Sequence, residues 1–251
     1  GAPDPAGKTI LVHDEQGYGA TIQFSRYLPM LKARGARVLF APKPELKALM
    51  RSLGEDIAIV DLEDGSLDFD VHCPLMSLPL AFGTMLDTIP RNIEYLSADP
   101  ERAAHWATRI GPEGFRIGIC WQGTKRFGRD ERSFPLSMLA SIARSPEVRL
   151  ISLLKGDGEA ELAGLPAGMV VETLGKSFDA GPDAFADTAA AIMACDLVIS
   201  SDTAVAHLAG VLAKPVWVAL KHVPDWRWLL DRSDSPWSAT ARLFRQPARG
   251  D

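Results

Sequence analysis

Short β-rich runs alternate with stretches of helical periodicity along this chain, and the series runs twice. Neighbouring parallel strands need a crossover of a dozen or more residues, usually a helix, so this rhythm leaves few folds open. The first series opens with TILVH at 9–13, then a helix over 21–34, a strand over 37–40 (RVLF), a helix over 44–53 and a strand over 57–62 (IAIVDL). Pro29 should kink or shorten the first helix, and Gly35 should close it. Residues 68–83 break the rhythm: they are apolar, carry Pro74 and Pro79, and read as a strand followed by an irregular loop beside a cleft. Residues 87–96 read as extended and 100–110 as a helix. The turn-rich stretch Gly111-Pro112-Glu113-Gly114 marks a join. Strands then follow over 115–121 (FRIGICW), 149–154, 170–174, 196–200 and 216–220, with helices over 136–143, 185–195 and 203–213 and a long polar loop over 122–133. The expected fold is α/β, with two Rossmann-like domains, 8–110 and 115–251, facing across a cleft. A chain of 251 residues, 47% of them hydrophobic, can fill two such cores.

Charge and cysteine content narrow the partners. A net charge of -5 gives no reason for a basic stripe, so no nucleic acid is expected. A phosphate-bearing ligand would be held locally, by backbone dipoles and a few cations. Cys73, Cys120 and Cys195 lie in apolar runs without a CxxC pair and read as buried thiols in a reducing compartment, which suggests a cytoplasmic protein. No run of 18 apolar residues offers a membrane span, and the polar start Gly1-Ala2-Pro3-Asp4-Pro5 has no secretory character. That start reads as a linker, and the chain as a fragment of a longer protein.

The densest chemistry lies at 196–220. A buried strand, LVIS, runs into Ser200-Ser201-Asp202-Thr203, where a helix starts. Ser and Asp are favourable N-caps, and a helix start presents N–H groups and partial positive charge suited to a diphosphate. His207 stands four residues after Thr203, on the same helical face. Ala204, Ala206, Ala209 and Gly210 let the helix lie close to a sheet. The same pattern also fits an ordinary strand-to-helix connection with a histidine at the core edge.

The whole run DLVISSDTAVAHLAGVLAKPVWVAL resembles the donor-binding segment of the ADP-heptose:lipopolysaccharide heptosyltransferases, a glycosyltransferase family 9-like group. It is most similar to the branch found as C-terminal domains of bacterial tetratricopeptide-repeat proteins. EQGYGATIQFSRYLPMLKARGARVLF, DFDVHCPLMSLPLAFGT, GICWQGTKRFGRDERSFPL and PDWRWLLDRSDSPW resemble further blocks, from about Lys8 to the end of the chain. The resemblance implies the GT-B architecture, with the sugar nucleotide bound mainly by the second domain. It also implies that Asp202, Thr203 and His207, matching a D-T-x-x-x-H element, sit against the donor's diphosphate and sugar, with Ser201 beside them. The loop after the 115–121 strand would face the same phosphates. Thr124, Lys125 and Arg132 are its anion-suited side chains, and they equally suit a solvated polar loop. Lys155, just past LISLL, stands where a strand end meets a cleft, or on the surface.

Gly17-Tyr18-Gly19 would turn the chain sharply into its first helix beside the same ligand. The family usually carries Asp directly after this turn, as general base. Here the position is Ala20, and a methyl group accepts no proton. Asp14, Glu15 and His13, at the end of the same strand, and the more distant His72 are the substitutes; each also reads as a cap, a surface charge or a core-edge residue. The resemblance therefore implies a glycosyltransferase moving a sugar from a nucleotide-diphosphate sugar to an acceptor hydroxyl on a glycan or protein, with no redox cofactor and no essential metal. Ala20 opens the alternative of a sugar-nucleotide-binding or interaction domain with impaired or absent catalysis. Trp226, Trp228 and Trp237 resemble the family's tail and suit an acceptor wall, a pocket for the nucleotide's base or a strap between domains.

Overall fold

The computed structural model describes residues 4–63, 65, 67–91, 94–123 and 132–249. Two separate parallel sheets form, one from each series. The first holds β1 (Thr9–His13), β2 (Arg37–Ala41), β3 (Ile57–Ile59) and β4 (Val71–Pro74) in the order β3-β2-β1-β4. The second holds β5 (Phe115–Cys120), β6 (Val148–Ser152), β7 (Val171–Thr173), β8 (Leu197–Ser201), β9 (Val216–Leu220) and β10 (Ala241–Arg245) in the order β10-β9-β8-β5-β6-β7. Both are wound alike: strands are added outward from the first, then the chain crosses back and continues on its other side. Each sheet thus has a switch point, between β1 and β4 and between β5 and β8. There the loops leaving the C-terminal strand ends part and open a crevice. His13 lies opposite Pro74 at the first switch point, and Cys120 opposite Ser200 at the second.

Helices fill the connections, with boundaries that correct the sequence reading in places. The helix expected over 21–34 is two pieces, α1 (Tyr18–Phe24) and α2 (Leu28–Ala33), joined by a 3-10 turn. Pro29 sits in the first turn of α2, where its missing N–H matters little, and the expected helix breaks and is shortened just before it. Residues 44–53 form α3 (Lys47–Met50) between two 3-10 turns, and the strand expected to reach 62 ends at Ile59. The irregular loop expected after β4 is helical: a 3-10 turn leads into α4 (Leu78–Ala81), with Pro79 again in a first turn. α5 spans Pro100–Ile110, and Asp99 caps it by accepting from the Arg102 N–H at 2.8 Å. A 3-10 turn precedes α6 (Ala140–Ala143), while α7 (Ala186–Ala194) and α8 (Ala204–Val211) lie inside the expected helices. β10 goes unread in the sequence, because ARLFR at the sheet edge buries only Ala241 and Leu243.

One continuous apolar core joins the two sheets. α1 packs on α8 and α5 packs on α7, so elements of the first 110 residues rest on the helices of the second sheet. α5 is tied there by polar contacts as well. Arg102 pairs with Asp183 and Asp187, and Trp106 donates to Asp187 at 3.0 Å while its ring meets Phe178 edge-on. The tail closes over α1. Arg26, only 4% exposed, donates to the carbonyls of Gln23, Pro90 and Trp237 and lies against the rings of Tyr95 and Trp237. Trp228 and Trp237 are buried, whereas Trp226 is 59% exposed beside Phe24.

Candidate functional site

The loops after β5 and β8 leave neighbouring strands and converge. A Cβ on Gly123 would stand 2.9 Å from Arg132 Nη2 and 3.4 Å from Thr203 Cγ2, so the glycine lets Arg132 lie between the two loops. Arg132 Nη1 donates to the Asp202 carbonyl at 3.1 Å. Thr203 is the N-cap of α8, but its hydroxyl turns back, pairing with Ser200 Oγ at 2.9 Å and facing Cys120 Sγ at 3.6 Å. No side chain caps α8 among the described residues, which leaves the positive end of the helix at the switch point with a guanidinium beside it. Thr203 and His207 do not share a helical face, because Thr203 has extended backbone outside the helix.

Asp202 and His207 turn inward. Asp202 is 8% exposed, and burial holds its carboxyl above the usual carboxylate range, opposed by the Trp228 indole and the Arg227 guanidinium. His207 Nε2 lies 3.8 Å from Asp202 Oδ1, and its ring stacks on Trp228 with centroids 5.1 Å apart. Burial, reinforced by Arg227 and Arg26, pushes His207 down to about 3, so the imidazole is neutral at pH 7 and the two side chains form no ion pair. Ser201 is fully buried, with a hydroxyl that has no hydrogen-bond partner among the described residues.

This neutral histidine has a consequence for stability. The unfolded chain takes up the imidazole proton near pH 6.5 and the folded chain only near 3. Stability is therefore present above pH 6.5 and drains away as pH falls toward 3. His207→Gln should flatten that fall by about 1.4 kcal/mol per pH unit in the window, measured by urea unfolding of both proteins between pH 6 and 4. Identical slopes would mean that the histidine is solvated.

Gly17 and Gly19 have different jobs. Gly17 is the N-cap of α1, with ordinary extended backbone and open space around it. A Cβ on Gly19 would stand 2.6 Å from His207 Cδ2, so this glycine exists for the close approach of α1 to α8. Ala20 is 5% exposed and belongs to the apolar core. The candidate substitutes gather at the first switch point. Asp14 pairs with Lys43, Glu15 and His72 are exposed, and the His13 and His72 rings stack at 5.8 Å.

A cavity of about 360 Å³ opens at the C-terminal ends of β6 and β7. Leu154, Leu162, Leu174 and Phe178 supply apolar walls, and Ser152, Thr173, Glu159 and Lys176 supply polar groups. Lys155 lines it too, with its ammonium donating to the carbonyls of Phe178 and Lys176. Size and lining suit a small organic ligand. Lys155 is legible in the sequence but the cavity is not, because its far wall follows β7 and meets β6 only through the strand order. Gln122 is a further residue of this region, and its signal in the sequence is that it is the first polar one beyond the β5 end. Thr124 and Lys125 lie outside the described residues. Among the described residues no group of three or more His, Cys, Asp or Glu side chains is placed to hold a metal ion, and no helix is long and apolar enough to cross a membrane.

No family model matches the chain. Among curated proteins it is 26% identical over 266 residues to protein FlbA of Caulobacter vibrioides, an alignment covering 96% of this chain and 44% of FlbA. The chain thus spans less than half the length of that relative. Among solved structures it superposes on a glycosyl transferase family 9 protein from Veillonella parvula with a TM-score of 0.68 at 13% identity, covering 98% of this chain and 88% of that one. The E. coli heptosyltransferase WaaC with ADP gives a TM-score of 0.61 at 13% identity, covering 95% and 93%. The iron-containing heptosyltransferase TibC of E. coli, in complex with ADP-D-β-D-heptose, gives 0.62 at 12% identity, covering 94% and 63%. Likeness at these identities speaks to architecture, and the architecture of this chain is the GT-B fold of the family 9 glycosyltransferases and heptosyltransferases.

Proposed function

We propose that this chain binds a nucleotide-diphosphate sugar on its second sheet and transfers the sugar to an acceptor hydroxyl on a glycan or protein. The observation that carries the reading is the cavity between β6 and β7, set on the same strand ends as the β5–β8 switch point. The nucleoside fits the cavity. The diphosphate fits the α8 N-terminus, where Arg132 and the helix dipole would stabilise the leaving group. The sugar then points to the junction of α1 and α8, between the two Rossmann-like units proposed at 8–110 and 115–251. Complexes of WaaC with ADP and with ADP-2-deoxy-2-fluoro heptose, on the same fold, support this class of ligand.

A thermal-shift panel of ADP, UDP, GDP and CMP tests the binding half. A nucleotide at about 100 times its dissociation constant adds about 2.7 kcal/mol of stability. A selective shift with one of them is expected, and no shift with any would overturn the proposal. A second reading, a binding domain without turnover, is favoured by Ala20, since a buried methyl can take no proton from an acceptor. A transfer assay with the selected nucleotide sugar separates the two.

A further inference from the structure

We propose that Gln122 is a donor-recognition residue, whose side-chain amide reaches the nucleotide where the nucleoside cavity meets the diphosphate site. The inference rests on the binding reading above and adds a contact to it. Folded proteins leave few buried polar side-chain atoms without a partner, and each one asks for a reason. Gln122 is 8% exposed, and among the described residues its Nε2 has no hydrogen-bond partner.

Two glycines locate the amide. A Cβ on Gly158 would stand 3.0 Å from Gln122 Oε1, 3.1 Å from Gln122 Cβ and 2.5 Å from Leu154 Cδ2. Leu154 and Glu159, the neighbour of Gly158, line the cavity. The Gln122 side chain thus packs against Gly158, next to residues that line the cavity, in space that any side chain at 158 would fill. A Cβ on the next residue, Gly123, would meet Arg132 and Thr203 at the switch point. One peptide unit therefore separates the cavity wall from the proposed phosphate site, and the amide sits at that step.

Among the described residues nothing pairs with the Gln122 Nε2–H. Methionine has nearly the same length and volume and would leave no N–H stranded. A buried donor without a partner weakens the ligand-free protein, so its presence is explained by an acceptor that arrives with the ligand. At the junction of nucleoside and diphosphate the acceptors are a ribose hydroxyl and an α-phosphate oxygen.

The test is Gln122→Met in the full chain, with two readouts. The first is the thermal midpoint without ligand, expected at or above that of the wild type because the orphan donor is gone. The second is calorimetric affinity for whichever of ADP, UDP, GDP and CMP binds the wild type most tightly, expected to fall about tenfold, the worth of one good hydrogen bond. The matching nucleoside resolves the acceptor: an equal loss points to the ribose, no loss to the α-phosphate, and both support the proposal. Unchanged nucleotide affinity in the variant overturns it. So does a midpoint below that of the wild type or failure to fold, which would make the amide a structural group. If no nucleotide binds the wild type, the functional reading itself falls, an outcome distinct from binding that the variant leaves intact.

Discussion

Gly19→Ala should lower stability by about 2 kcal/mol, although alanine is the better helix former. Within α1 the exchange alone favours alanine by about 1 kcal/mol. The added Cβ would sit 2.6 Å from His207 Cδ2, and the imidazole cannot swing aside because it is stacked on buried Trp228. Overpacking of this kind costs about 1–3 kcal/mol, and the upper end applies to a ring held against a buried indole. The clash therefore outweighs the propensity gain. A double-mutant cycle isolates the contact: in a His207→Ala background, Gly19→Ala should be neutral or stabilising, a swing of about 3 kcal/mol. Additive effects in chemical denaturation would show that α1 does not press on α8 in solution.

Ala20→Asp should be the most damaging single change at this junction, and it should not raise transferase activity. Position 20 is 5% exposed in the apolar core, so a carboxylate there is buried among apolar side chains. An unpaired buried charge costs about 3 kcal/mol or more in measured mutants. The sign with pH is diagnostic. Burial raises the folded-state pKa of the new carboxyl, so the deficit relative to the wild type grows as pH rises from about 4 and shrinks again in acid. Equilibrium unfolding of both proteins at pH 7 and pH 4.5 measures it. A variant as stable as the wild type that gains turnover would show that α1 opens at this position and that the base site is functional, and the binding-only reading would then be abandoned.

Much of the architecture is local in origin, and local rules reach it. The α5 boundaries follow from Asp99 and Pro100 at one end and Gly111 at the other, and β9 from a β-branched run after Pro215. The alternation of strands and helices already demands parallel sheets, because only crossovers connect parallel neighbours. Helix quality is less legible. Residues 44–53 and 136–143 carry helical spacing yet settle partly as 3-10 turns. The turn Ser200-Ser201-Asp202-Thr203 falls between strand and helix as its caps suggest, but the direction of each side chain there does not follow from spacing.

The site was decided elsewhere. Gly19 and His207 are 188 positions apart and meet because α1 lies on α8, which turns an apparent loop glycine into a packing glycine. His207 is neutral because it is buried beside Trp228, Arg227 and Arg26, residues drawn from the tail and from the chain's first quarter. The cavity exists because the sheet order sets β7 beside β6, and the stranded amide of Gln122 shows only once Gly158 is packed against it. Backbone period and turn chemistry act over a few residues, so they are written in the chain. Burial, and the charge states and close approaches that follow from it, arise between residues far apart in sequence and exist only after the chain has folded.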